Sequence, residues 1–129
     1  SGFLGVSGLT NDHHDLEIAA EKGNARARLA LDLYAYQIKK YTGSFAAAMG
    51  GMDALIFTGG IGENSAMTRA DVCADMGFFG IELDESVNRE TRGMCREITQ
   101  PASPAKAYVV PTNEELMIAR DTRNLVEAI

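Results

Sequence analysis

The run Asp53-Ala54-Leu55-Ile56-Phe57-Thr58, followed at once by Gly59-Gly60-Ile61-Gly62-Glu63-Asn64-Ser65, decides how this chain folds. Its apolar centre shows no alternation and has glycines close on either side, which suggests a strand covered on both faces, as in a parallel sheet. The glycines that follow let the backbone approach a ligand and adopt positive φ. Residues 66–76 read as a helix with Asn64 or Ser65 as its cap. The free N–H groups and partial positive charge of that helix point at the loop, which suits a nucleotide phosphate. No Gly-Lys-Ser/Thr follows, so this is not a Walker A loop, and the glycine spacing is not that of a dinucleotide site. A tight strand-to-helix turn without a ligand is the alternative.

Working outward, residues 1–11 hold several Gly and Ser and read as loop. Asp12 or Asn11 can cap a helix beginning near Asp15, and Gly23-Asn24 end it. Residues 25–48 read as a long helix, with Leu31, Tyr34, Ile38, Tyr41 and Phe45 forming one stripe; the aromatics Tyr34, Tyr41 and Phe45 are expected in the core. Phe78, Phe79 and Ile81 form a candidate buried stretch, 86–92 a weak helix and 96–100 a short strand. Pro101 and Pro104 bound a loop, 106–110 is a second strand and 112–128 a final helix, with Ile118, Thr122, Leu125 and Ile129 on one side. Two strand-to-helix units joined by a helical crossover imply parallel strands in a right-handed α/β arrangement. Ligands bind beyond the carboxyl ends of such strands, here the loops 58–65 and 111–115.

The 129 residues carry 12 Lys+Arg against 18 Asp+Glu, a net charge of −6, and 46% are hydrophobic. That is globular composition for one core, and its acidity argues against a nucleic-acid partner. Cys73 and Cys95 make neither a disulfide framework nor a zinc set, so a reduced, cytoplasmic compartment is expected. No apolar run approaches the ~20 residues that span a bilayer, so no membrane partner is expected. The chain opens on Ser1 without Met, which reads as a start inside something longer.

Two further groups invite chemistry. Thr112 and Glu115 have capping-box spacing, a structural role. Glu114 sits in the first turn of a helix at the ligand edge, where a carboxylate can hold Mg²⁺ or only favour the helix dipole. Asp12-His13-His14-Asp15 is too loose in geometry for a transition-metal site; Asp12 reads as a cap and the His pair as solvent-facing. Cys73 reads as buried.

The stretch DALIFTGGIGENSAMTR (residues 53–69) closely resembles the C-terminal signature of the acetate kinase family, which includes propionate and butyrate kinases. SGFLGVSGLTNDHHDLEIAA (1–20) resembles the segment that precedes it, and YVVPTNEELMIARDT (108–122) the closing helix. The resemblance implies that residues 1–129 are part of a C-terminal nucleotide-binding and dimerisation domain of a longer kinase, without its N-terminal domain. The implied fold is α/β, a truncated ribonuclease-H-like domain of the actin, heat-shock chaperone and sugar-kinase superfamily, with a small mixed sheet, parallel strands and flanking helices. An exposed sheet edge follows from the truncation.

The implied reaction moves the γ-phosphoryl group of ATP to a short-chain carboxylate with Mg²⁺, giving an acyl phosphate and ADP, in a cytoplasmic homodimer. By resemblance, Gly60, Ile61, Gly62, Glu63 and Asn64 lie against the adenosine and α-phosphate. Asp12, His13 and His14 form the second nucleotide-contacting segment, and Glu114 is the Mg²⁺-associated carboxylate. The family's carboxylate pocket, transition-state arginines, catalytic Asp and His, and N-terminal Asn and Lys contacts lie upstream of what this chain covers, so the chain alone is expected to be inactive. A standalone nucleotide- or phosphate-binding module is the alternative; a dinucleotide-using oxidoreductase piece fits poorly, because of the glycine spacing.

The resemblance departs at Asp12-His13-His14, where Asp, then Phe or Met, then Arg is usual: His14 stands where Arg is expected. A neutral imidazole contacts base or ribose more weakly than a planar guanidinium. ADP affinity is therefore expected to rise in His14→Arg and to lose its pH dependence between about pH 5.5 and 8. Titration calorimetry measures this, and equal affinities at every pH would refute it.

Overall fold

The computed structural model describes residues 2–127. Ser1, Ala128 (the last residue of the expected final helix) and Ile129 lie outside the described residues.

The deciding stretch forms strand β1, Ala54–Phe57. Two more strands follow, β2 (Arg96–Glu97) and β3 (Lys106–Val109). β3 lies in the middle, parallel to β1 with Ala54 opposite Lys106 and Phe57 opposite Val109, and antiparallel to β2. This is the small mixed sheet with parallel strands that the sequence led us to expect. The double covering of β1 is not found. Phe57 is buried, but Ile56 is 58% exposed, because β1 is an edge strand and its second face has no layer over it among the described residues.

Helices surround the sheet. Residues expected as loop form α1, Gly2–Ser7. Phe3 and Val6 explain it, since both pack on a helical cluster built around Leu16, Ala27, Ala30 and Leu31. Asp12 caps α2 (His13–Glu21), its side chain accepting from the Asp15 N–H. Asn24 caps α3 (Ala25–Met49), which Gly50 ends in the left-handed conformation. Alanines let α3 approach its neighbours: Ala27, Ala30, Leu31, Ala35 and Ala46 are its buried residues. The expected aromatic core holds only in part. Tyr34 is half-buried, whereas Tyr41 and Phe45 stand exposed beyond the reach of the second helical layer.

The glycine stretch expected as loop is a short helix, α4 (Gly59–Asn64). Glycines favour helix poorly, so side chains of the turn itself help to hold it. The Glu63 carboxylate accepts from Gly59 N at 2.9 Å, and Asn64 Nδ2 donates to the Gly60 carbonyl at 2.9 Å. Gly59 needs its φ of +71°, and a Cβ on Gly62 would lie 3.2 Å from the Phe57 carbonyl carbon. Ser65 caps α5 (Ala66–Cys73), accepting from Thr68 N. A 3-10 turn at Met76–Phe79 buries Met76 and leads to buried Ile81, while Phe78 points outward. α6 (Glu85–Glu90) follows, capped by Asp84. The final helix, α7 (Glu114–Glu127), buries no residue; Ile118 and Leu125 are exposed.

The expected capping box of α7 is not formed. Thr112 donates instead to Glu63, through N at 2.8 Å and Oγ1 at 3.1 Å, and Asn113 Oδ1 caps the helix from Leu116 N at 3.1 Å.

The main core joins Phe57, Ala107 and Val109 of the sheet to Val72, Cys73, Met76, Ile81 and Ile98. Burial pushes the Cys73 thiol up to about 12, which makes it a core residue and not a reactive thiolate. Beside this core lies Arg69, with 0% exposure. Its guanidinium makes four hydrogen bonds, to Gly62 O at 2.9 Å, Asn88 Oδ1 at 2.7 Å, Asn88 O at 2.8 Å and Thr91 O at 2.7 Å. Asn88 in turn donates to Ala66 O at 2.9 Å. Truncating a buried charged donor leaves its acceptors unsatisfied. Arg69→Ala is therefore expected to cost about 3–5 kcal/mol in urea unfolding; a loss under about 1 kcal/mol would contradict this role.

Candidate functional site

The site lies where the carboxyl ends of β1 and β3 turn into α4 and α7, facing the start of α2. A cleft of about 260 Å³ brings together Asp12, His13 and His14 from the α2 end with Gly60, Ile61 and Asn64 from α4. Glu17, Ser65 and Arg92 complete its wall. The two segments singled out in the sequence, nearly fifty residues apart, thus face each other across one space.

The two histidines differ. The His14 side chain is 67% exposed, while that of His13 is 9% exposed. His13 packs on the rings of Phe3 and Tyr34, and its Nε2 meets Thr68 Oγ1 at 2.9 Å. Burial pushes its imidazole below the ordinary histidine value, against the pull of Glu17 and Asp12. The expectation that both histidines face solvent is therefore corrected for His13. α1, read as loop in the sequence, is what covers it.

Glu17 sits behind the pair. Its carboxylate accepts from Ser65 Oγ and lies 3.8 Å from His13 Nδ1 and 3.7 Å from His14 Nδ1. Ser65 is also the α5 cap, so one chain of polar contacts ties α2 to the helix that follows the glycines. Glu17 was not singled out in the sequence, although its spacing from the histidines is that of a helical ion pair.

Gly62 and Glu63 do not line the cleft. The Gly62 carbonyl belongs to Arg69, and Glu63 Oε1 gathers Gly59 N, Thr112 N and Thr112 Oγ1. Glu63 thereby ties α4 to the entry of α7. Glu114, Thr112, Asn113 and Glu115 line a second, open cleft at that entry, of about 350 Å³. Glu114 is exposed, and its side chain makes no hydrogen bond or ion pair among the described residues. A single free carboxylate fits Mg²⁺, which keeps several waters and takes its other ligands from phosphate.

The family model described as the acetokinase family matches residues 1–120. The chain belongs to the acetokinase family. It is 56% identical over 126 residues to an acetate kinase of Desulforamulus reducens, across 98% of this chain and 32% of the relative. The crystal structure of Porphyromonas gingivalis acetate kinase superposes with a TM-score of 0.90 at 52% identity, over 98% of this chain and 32% of that one. A propionate kinase from Francisella tularensis gives 0.85 at 35% identity, over 96% and 31%. This acetokinase chain therefore spans about a third of the length of the relatives it matches. Among its described residues no helix is long and apolar enough to cross a membrane.

Glu63 makes the link between α4 and α7 sensitive to acid. Hydrogen bonding, chiefly from Thr112 N, holds its carboxyl below the ordinary 4.5. A carboxyl depressed by folding adds stability that is fully present above the unfolded value and lost as pH falls through the folded one. Urea midpoints measured from about pH 6 down to pH 3 should fall less steeply in Glu63→Gln than in the parent. Parallel curves would remove Glu63 from the acid response.

Proposed function

We propose that this chain forms the nucleotide-holding side of a kinase that moves the γ-phosphoryl group of ATP, reversibly, to a short-chain carboxylate. The observation that carries the reading is the cleft between Asp12–His14 and Gly60–Asn64. Family membership supports the reaction class. ATP and ADP are the nucleotide substrates, and acetate or a close homologue is the acceptor.

In this reading the nucleotide lies between α2 and α4. Ile61 offers an apolar contact, the backbone at Gly60 approaches the ligand closely, and Asn64 and His14 flank it. A helix of few residues contributes little dipole of its own, so exposed N–H groups and nearby side chains carry the anion. Glu114 would hold Mg²⁺, which when bound neutralises phosphate charge. Glu63 would keep that carboxylate in register with α4 through Thr112. The ribonuclease-H-like classification of the domain, its place at the C-terminal end of a longer kinase, pairing with a second copy and a cytoplasmic location belong to the same proposal.

Phosphoryl transfer depends on positioning and charge neutralisation. The groups that supply them in the family resemblance lie outside the segments matched here. The chain on its own is therefore expected to bind ADP and yet make no acetyl phosphate in a hydroxamate assay. Ile61→Asp should weaken ADP binding by about tenfold or more in titration calorimetry. Acetyl phosphate made by this chain alone would overturn the division of labour, and failure to bind ADP would overturn the site.

A further inference from the structure

The nucleotide cleft belongs to an acidic chain, and its wall carries the carboxylates of Asp12 and Glu17. An anionic ligand entering it meets like charge unless a cation stands nearby. Arg92 is the sole Arg or Lys among the lining residues.

Its setting is unusual. The backbone on both sides is fastened to the elements that build the cleft. The preceding residue, Thr91, is buried and gives its carbonyl to Arg69 Nη2 at 2.7 Å, while Arg69 Nη1 holds the Gly62 carbonyl of α4. The following residue, Gly93, turns at φ +59° and donates its N–H to the Glu63 carbonyl of α4 at 3.1 Å. The segment is thus pinned to α4 from both sides. Between these anchors the Arg92 side chain is exposed and makes no hydrogen bond or ion pair among the described residues. Free arginines are common on surfaces, but this one has a fixed backbone, faces a cleft and finds no carboxylate partner, although Asp12 and Glu17 line the same wall. Asp12 is engaged with Asp15 N, and Glu17 with Ser65.

We propose that Arg92 is the phosphate-recognising residue of this cleft, supplying a guanidinium to it from the loop after α6. A guanidinium offers a planar fork to a phosphate, which an imidazole cannot do. The proposal rests on the nucleotide reading of the cleft and adds to it the residue that selects the charged end of the ligand.

The test compares ADP with adenosine, without added metal, by titration calorimetry on the 129-residue chain. Arg92→Ala should weaken ADP binding about tenfold and leave adenosine binding unchanged. Arg92→Lys should lose about threefold, keeping the charge but not the fork. Affinity for ADP should also depend less on salt in Arg92→Ala than in the parent. The side chain has no partner to lose, so the thermal midpoint should stay put. ADP binding in Arg92→Ala equal to the parent overturns the proposal, as does an equal loss for ADP and adenosine. A parent that binds ADP and loses it in Ile61→Asp, but not in Arg92→Ala, leaves the cleft standing and removes Arg92 alone. A parent that binds neither ligand overturns both.

Discussion

The Arg69 guanidinium is the interaction on which the rest of the structure depends. It is a buried cation without a carboxylate partner among the described residues, compensated by one side-chain and three main-chain oxygens. Burial pulls its pKa down, but four acceptors in fork geometry make the charge tolerable. Those acceptors belong to α4, α6 and the loop beyond it. One side chain therefore joins the glycine segment, the Asn88 helix and the stretch that carries Arg92. Without it α4 would be six residues of mostly glycine and β-branched chain, too short to persist.

The cleft solves a charge problem with few charges. The chain has a surplus of carboxylates, yet those near the site are mostly engaged. Glu63 is tied to Gly59 and Thr112, Glu17 to Ser65, and Asp12 caps its own helix. Engaged carboxylates still carry charge, but their hydrogen bonds spread it over backbone and hydroxyl donors. His13 stands apart from this balance. Wedged between Phe3 and Tyr34, it serves as a packed polar joint between α2 and Thr68.

Much of the fold was legible because local rules and tertiary packing agree. The apolar run before the glycines became β1, Asp12 and Ser65 became caps, and the second strand paired parallel to the first. Most of the misreadings come from partners distant in sequence. Thr112 has the spacing for a capping box, but Glu63 takes its donors and Asn113 caps in its place. The glycines look like loop, and become helix because Arg69 takes the Gly62 carbonyl, the Glu63 carboxylate takes the Gly59 N–H and Gly93 N–H donates to the Glu63 carbonyl. The first residues look like loop until Phe3 and Val6 find the α2–α3 layer. The stripe through Tyr41 and Phe45 follows helical spacing correctly, but periodicity says which side chains align, not whether anything covers them. Half of the cleft was visible as two motifs; Arg92 was not, because nothing local distinguishes it from any other surface arginine.

The last helix has a different physical status from everything before it. α7 runs for 14 residues without burying one of them, so it gains nothing from the core. Its helicity rests on the Asn113 cap, the Arg123–Glu127 pair and the bonds from Thr112 to Glu63. Isolated helices of about this length are marginal in water. The protein thus has two stabilities. The core is held by burial shared among several elements, whereas α7 is held by local terms alone. Glu114 stands in the first turn of that helix, so the order of its surroundings rests on the local cap and ties of α7 more than on the packing of the core.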